Sequence, residues 1–187
     1  VKNGVLTAAT GSLLIVALAA VIAPPTGATV LVTVEEALAQ IFPESSTERQ
    51  TLFLSEEQLD RIEALAGERP TSALVTRFAA RSGGTIVGWA YLDTHRVRTL
   101  PETVMIAIDA DGKIRRVEAV VFREPLDYLP PDRWYRQYDG RPLDDDLKLK
   151  RGIRPITGAT LTAVATTVAV RRALAAHHVL AAEEEPG

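Results

Sequence analysis

Two glycine-bearing turns set between strand-length apolar runs constrain this chain more than any other feature. Four such runs follow one another at residues 73–80, 85–92, 103–108 and 113–122. Gly83-Gly84 separates the first two and Asp111-Gly112 the last two; both dipeptides reach the positive φ angles of tight hairpins. Strands joined so closely pair antiparallel, because a parallel crossover needs a dozen residues or more. Helical signals surround this run. Residues 34–42 read as a short helix stopped by Pro43. A short strand is expected at 50–54. Ser55 with Gln58 three residues on is a capping box, opening a helix with Leu59, Ile62 and Leu65 on its apolar face and Gly67 at its end. Residues 123–156, with five prolines, read as irregular, holding one helical turn at 132–138. Residues 161–180 form a long alanine-rich helix. Helices grouped around a run of strands make the expected class α+β, an antiparallel twisted sheet with flanking helices.

The first 28 residues have a different character. No charge lies between Lys2 and Glu35, residues 13–23 are unbroken apolar, and residues 4–23 are uncharged throughout. That length is near the minimum for crossing a bilayer, and Lys2 ahead of it fits a cytoplasmic start with an exported remainder. A cleaved signal peptide has the same outline, with Thr26 and Ala28 as a small-residue cleavage site. The expected division is therefore residues 1–28 as membrane anchor or signal peptide, 29–72 as a helical N-terminal part, 73–180 as the main domain, and 181–187 as a disordered tail. The expected location is extracytoplasmic, on the periplasmic or cell-surface side, with the chain attached to the membrane.

Composition removes several kinds of chemistry. Without cysteine there is no thiol catalysis and no cysteine-held cluster or zinc. Three histidines, His95, His177 and His178, are too few and too scattered for a histidine-rich site, so no metal is expected. The net charge, 21 − 24 = −3, gives no basic surplus for nucleic acid. His95, beside Asp93, reads as a hydrogen-bonded structural residue. His177 and His178 are adjacent on a helix and point to different faces, near a C-terminus that favours positive charge. Asp144 to Asp146 read as a solvated run and Glu183 to Glu185 as a frayed tail.

The stretch that carries chemistry is Ile156-Thr157-Gly158-Ala159-Thr160-Leu161-Thr162, at the start of the last helix. Gly158 and Ala159 let backbone approach a ligand closely. Thr157, Thr160 and Thr162 supply hydroxyls, and a helix start supplies free amide hydrogens that suit a phosphate. A threonine N-cap after a glycine turn explains the same residues without any ligand.

The T-G-A-T-L-T string before a long helix resembles the flavinylation motif, [S/T]-G-A-T-x-[S/T], of the FMN-binding domain family. That family includes the C subunit of sodium-translocating NADH:quinone reductase and the G subunit of Rnf complexes. Asp111-Gly112-Lys113-Ile114 with Val117 and Glu118 is similar to its central hairpin, and Arg123-Glu124-Pro125 to an acidic position near its flavin. The resemblance spans roughly residues 73–180. It implies FMN joined through its phosphate to the hydroxyl of Thr160, attached after export by a separate flavin transferase. It also implies a membrane redox partner or quinone-reducing complex, and an electron-transfer protein or subunit rather than a stand-alone enzyme. Trp134, Tyr135 and Tyr138 then have two readings: a surface under the flavin ring, or ordinary packing under the long loop. The family pattern has aspartate three residues before the motif, where this chain has Arg154, a side chain able to pair with phosphate. Arg154 also sustains the alternative, an exported structural or ligand-binding domain of the same fold without covalent flavin. A second tetrad, Thr26-Gly27-Ala28-Thr29, precedes no helix pattern and is expected to lie outside the domain as a coincidence.

Overall fold

The computed structural model describes Gly27 and residues 29–184. The apolar stretch at 4–23, and with it the expected anchor or signal, lies outside the described residues, as do 185–187. Among the described residues no helix is long and apolar enough to cross a membrane.

The fold is α+β, with a six-stranded antiparallel sheet and four α-helices among those residues. The strands are β1 (Thr29–Val30), β2 (Ser46–Phe53), β3 (Leu74–Ser82), β4 (Thr85–Arg96), β5 (Pro101–Asp109) and β6 (Ile114–Phe122). The helices are α1 (Val34–Ile41), α2 (Glu56–Ala66), α3 (Asp132–Tyr135) and α4 (Thr160–Glu184). Strand order is β1-β6-β5-β4-β3-β2, a meander from β2 to β6 with β1 added at the far edge. The β3–β4 hairpin turns through Gly83 and Gly84, at φ 56° and 84°, the left-handed pair that such a turn requires.

The sheet is covered on both faces. Thr33 and Glu36 close a capping box at the start of α1, which presses Ala37, Leu38 and Ile41 onto Phe78, Ala90, Met105 and Val120. The opposite face carries Val104, Ile106 and Ile108 under α2, α3 and α4. Buried on both sides, β5 has no polar alternation, as expected of a central strand. Ser55 and Gln58 cap α2, and Gly67 ends it in the left-handed conformation, as the sequence indicates.

Several expectations need correction, among them Leu65, expected on the apolar face of α2 but 45% exposed. The strand expected at 50–54 begins at Ser46 and pairs along its whole length, from Ser46 opposite Arg81 to Phe53 opposite Leu74. It is an edge strand, exposed along most of its length, so no apolar alternation marks its polar first half. The residues read as a helical N-terminal part thus supply both edge strands as well as two helices. The last residue of the second tetrad, Thr29, likewise belongs to the fold, since it pairs with Phe122. At the other terminus, Glu183 and Glu184 are helical rather than frayed. Glu183 accepts from Gln58 at 2.6 Å and from Arg61 at 3.1 Å, and Glu184 pairs with Arg77.

Sequence periodicity gave no sign that α4 would bury two adjacent arginines. Arg171 donates to the Ala66 carbonyl at 2.9 Å and that of Asp144 at 2.6 Å, with longer bonds to Leu65 and Leu147. It thereby satisfies the C-terminal carbonyls of α2, where a cation is favoured. Arg172 grips Asp93 with two bonds, at 2.9 and 2.8 Å.

Candidate functional site: the open start of α4

The first hydrogen bond of α4 runs from Ala163 N to Ala159 O at 2.9 Å, so Ala159 is the N-cap. An alanine has no side-chain oxygen with which to cap. Among the described residues nothing accepts from the amides of Thr160, Leu161 and Thr162. Three donors and the positive end of a 25-residue helix are therefore left for solvent or a ligand. Gly158 sits at φ 87°, a conformation costly to any residue with a Cβ, and makes the turn that leads into the helix.

The three threonines of the motif occupy different environments. Thr160 is exposed, at the first helical position rather than the N-cap, and its hydroxyl donates to the Ile156 carbonyl at 3.1 Å. Thr162 is fully buried and donates to the Tyr128 carbonyl at 2.7 Å, a tie between helix and loop rather than the bond to the preceding turn that position alone suggests. Thr157 is exposed but does not line the pocket in front of Thr160.

That pocket measures about 170 Å³ and is walled by Val97, Arg98, Glu124, Tyr128 and residues 158–162. Glu124 shapes it indirectly. Its Oε1 accepts from Leu100 N at 2.8 Å, Thr99 N at 2.7 Å and Thr99 Oγ1 at 3.2 Å. The amides of Leu100 and Thr99 hold its carboxyl below the usual range. The carboxylate thus pins the β4–β5 loop, which carries Val97 and Arg98 into the wall.

Trp134, Tyr135 and Tyr138 form no surface beside Thr160. They are buried and packed edge to face, with ring centroids 5.3 and 5.5 Å from Trp134. The aromatic ring at the pocket is Tyr128. Trp134 instead braces the approach to the motif: its indole donates to the Arg154 carbonyl at 2.8 Å, while Gln137 Oε1 accepts from Arg154 N at 2.9 Å. The Arg154 side chain is exposed and lines a separate, wider cleft with Trp134, Pro155 and Ile156.

One turn further along α4 from Thr162 lies a charged network. His95 Nδ1 is 3.0 Å from Asp93 and Nε2 is 3.0 Å from Glu102, which has no exposure. Glu102 also accepts from Thr166 at 3.1 Å and from Tyr135 at 3.2 Å. Burial alone would push the His95 pKa down, but its bonds to Asp93 and Glu102 outweigh burial and raise it to about 9. Asp93 stays below its usual range despite burial, held there by His95 and Arg172. Arg172 also lies 3.5 Å from Glu68, and His95 is hydrogen-bonded through both ring nitrogens, as the sequence indicates. His177, by contrast, is no charged partner of the helix dipole. Buried beside Tyr91, with His178 and Arg77 adding repulsion, its pKa falls to about 4.

Val97, Arg98 and Tyr128 are pocket residues that sequence reasoning missed. The nearby signal was Glu124, whose loop clamp brings the first two into place. No protein-family model matches the chain, and neither does any curated protein.

Proposed function

We propose that this protein is an exported flavoprotein electron carrier, with FMN ester-linked through its phosphate to Thr160, passing electrons along a membrane-associated chain. The observation that carries the reading is the pairing of an exposed Thr160 hydroxyl with three unpartnered amides at an uncapped helix start. A phosphodiester on Oγ1 keeps one negative charge, which those amides and Arg98 are suited to hold.

The residues present fit such a group. A pocket of about 170 Å³ is smaller than the roughly 300–1,000 Å³ that encloses a drug-sized ligand. It would hold the phosphate end of the group and not enclose the whole of it. Enclosure is what a dissociable cofactor needs for affinity; a covalent bond removes that need. Val97, Tyr128 and Leu161 supply the apolar wall and Glu124 keeps it in place. When bound, FMN supplies one- and two-electron transfer. The protein's own task is to orient the phosphate end and to leave the other end accessible to donor and acceptor.

The environments of the threonines favour Thr160. Thr162 is buried and already committed to Tyr128, and Thr29 lies in a strand, paired with Phe122, rather than at a helix start. Co-expression with a flavin transferase followed by a denaturing gel tests the reading: covalent flavin fluorescence is expected in the wild type and absent in Thr160→Ala. Fluorescence that survives Thr160→Ala overturns it.

A second reading, a domain of this fold that carries no flavin, draws on Arg154. Its backbone is fixed by Trp134 and Gln137 whatever the side chain, so a change at 154 leaves the pocket intact and is sensed only by an attaching enzyme. A wild type that stays unlabelled while Arg154→Asp becomes fluorescent would favour this second reading.

A further inference from the structure

The end of the sheet that carries Thr160 is also the end at which the N-terminal chain joins the fold. Thr29 of β1 pairs with Phe122, the last residue of β6. The chain then continues through Arg123 and Glu124 into a 3-10 turn at Leu126–Tyr128, whose Tyr128 walls the pocket. On the neighbouring strands, Glu102 also pairs with Phe122, and Arg96 with Pro101. Four of the large apolar side chains exposed on the described surface gather here: Leu126 and Leu161, each 54% exposed, Val164 at 45% and Tyr128 at 38%. Leu161 and Val164 are three apart on α4 and share a face. Arg96 and Arg123 are exposed on the adjoining segments. This apolar surface extends beyond the 170 Å³ pocket.

We propose that this end of the domain docks on an anionic bilayer surface, with Leu126, Tyr128, Leu161 and Val164 in the interfacial layer and Arg96 and Arg123 on lipid phosphates. The inference rests on the reading of residues 4–23 as a membrane segment. Only residues 24–28 then separate the bilayer from Thr29, and five residues reach at most about 18 Å. Such a short tether gives the membrane a high effective concentration at this end of the molecule. Apolar side chains mixed with arginine are the composition that anionic interfaces retain. A protein partner with an acidic face is the competing occupant. Docking would hold the group on Thr160 at the membrane surface, within reach of carriers dissolved in the lipid.

The absence of cysteine makes the test direct. Single cysteines at Leu126, Leu161 and Asp111, the last on the hairpin turn at the opposite end of β5 and β6, are labelled with an environment-sensitive fluorophore. The full chain is reconstituted into vesicles containing nitroxide-bearing lipid, made from phosphatidylcholine alone or from an equal mixture with phosphatidylglycerol. Quenching is expected at 126 and 161 but not at 111, and more strongly with phosphatidylglycerol. Arg96→Glu with Arg123→Glu should lower the docking equilibrium constant, read from the quenching, by about fivefold or more per arginine. A chain that floats with the vesicles while 126 and 161 stay unquenched overturns the docking and leaves the membrane segment standing; the apolar surface then belongs to a protein partner. A chain that does not float overturns both.

Discussion

The His95 network makes folding stability depend on pH between about 6.5 and about 9. His95 is faced by Asp93 on its own strand and Glu102 on β5, with Arg172 of α4 and Tyr135 of α3 behind them. Its pKa stands at about 9 in the folded protein against 6.5 for a free imidazole. The folded state therefore holds the proton more tightly than the unfolded chain does. The resulting stabilisation is fully present below pH 6.5 and is lost as pH rises through about 9. A difference of two to three pH units corresponds to about 3 kcal/mol, with a slope of at most about 1.4 kcal/mol per unit. Physically, a neutral imidazole donates only one hydrogen bond, so one of the two carboxylates is left facing a lone pair at 3.0 Å. Urea unfolding at intervals from pH 6 to pH 9.5 measures this, since the change in midpoint multiplied by the slope m gives the free energy. His95→Gln should lower stability near pH 6.5 and flatten the alkaline limb. A wild-type curve that is flat across the window, or an unchanged decline in His95→Gln, would refute the reasoning.

Four further outcomes follow from named contacts. His177, held neutral with a pKa of about 4, binds its proton less readily than the unfolded chain. It therefore removes up to about 3 kcal/mol as pH falls from 6.5 through 4, and His177→Asn should flatten that acid limb in a urea series carried down to about pH 4. Thr162→Ala deletes the 2.7 Å bond to the Tyr128 carbonyl and should cost about 1–3 kcal/mol by thermal melting, with flavin still attached at lower yield. Arg171→Ala strips donors from carbonyls on α2 and on the 144–147 loop and should cost more than about 3 kcal/mol, read from the urea midpoint. Arg154→Asp exchanges an exposed side chain and should change stability by less than about 0.5 kcal/mol, while in-gel fluorescence reports any change in flavin yield.

What the sequence made legible follows from which features carry local signals. The β3–β4 and β5–β6 hairpins were readable because glycine at positive φ marks each turn, and α2 because Ser55, Gln58 and Gly67 mark both its ends. The start of β2 was not, since an exposed edge strand needs no apolar alternation. Nor were Arg171 and Arg172, whose partners lie on α2, β4 and the 144–147 loop, far away in the chain. At the site, the spacing of Gly158, Ala159 and Thr160 located the helix start. Local sequence could not place the Thr162 hydroxyl, because the Tyr128 carbonyl that it engages lies 34 residues away. The aromatic cluster was legible as a cluster, but its burial depends on the packing of α3 against the sheet. Tyr128, on a short turn without neighbouring aromatics, gave no comparable signal.

The central claim is that Thr160 carries flavin, and mass spectrometry of the full chain purified after co-expression with a flavin transferase tests it most directly. The account predicts a gain of about 438 Da, FMN less one water, with fragmentation placing the added mass on Thr160 and no gain in Thr160→Ala. An unmodified wild type, or an adduct that maps to Thr157, Thr162 or Thr29, would contradict it.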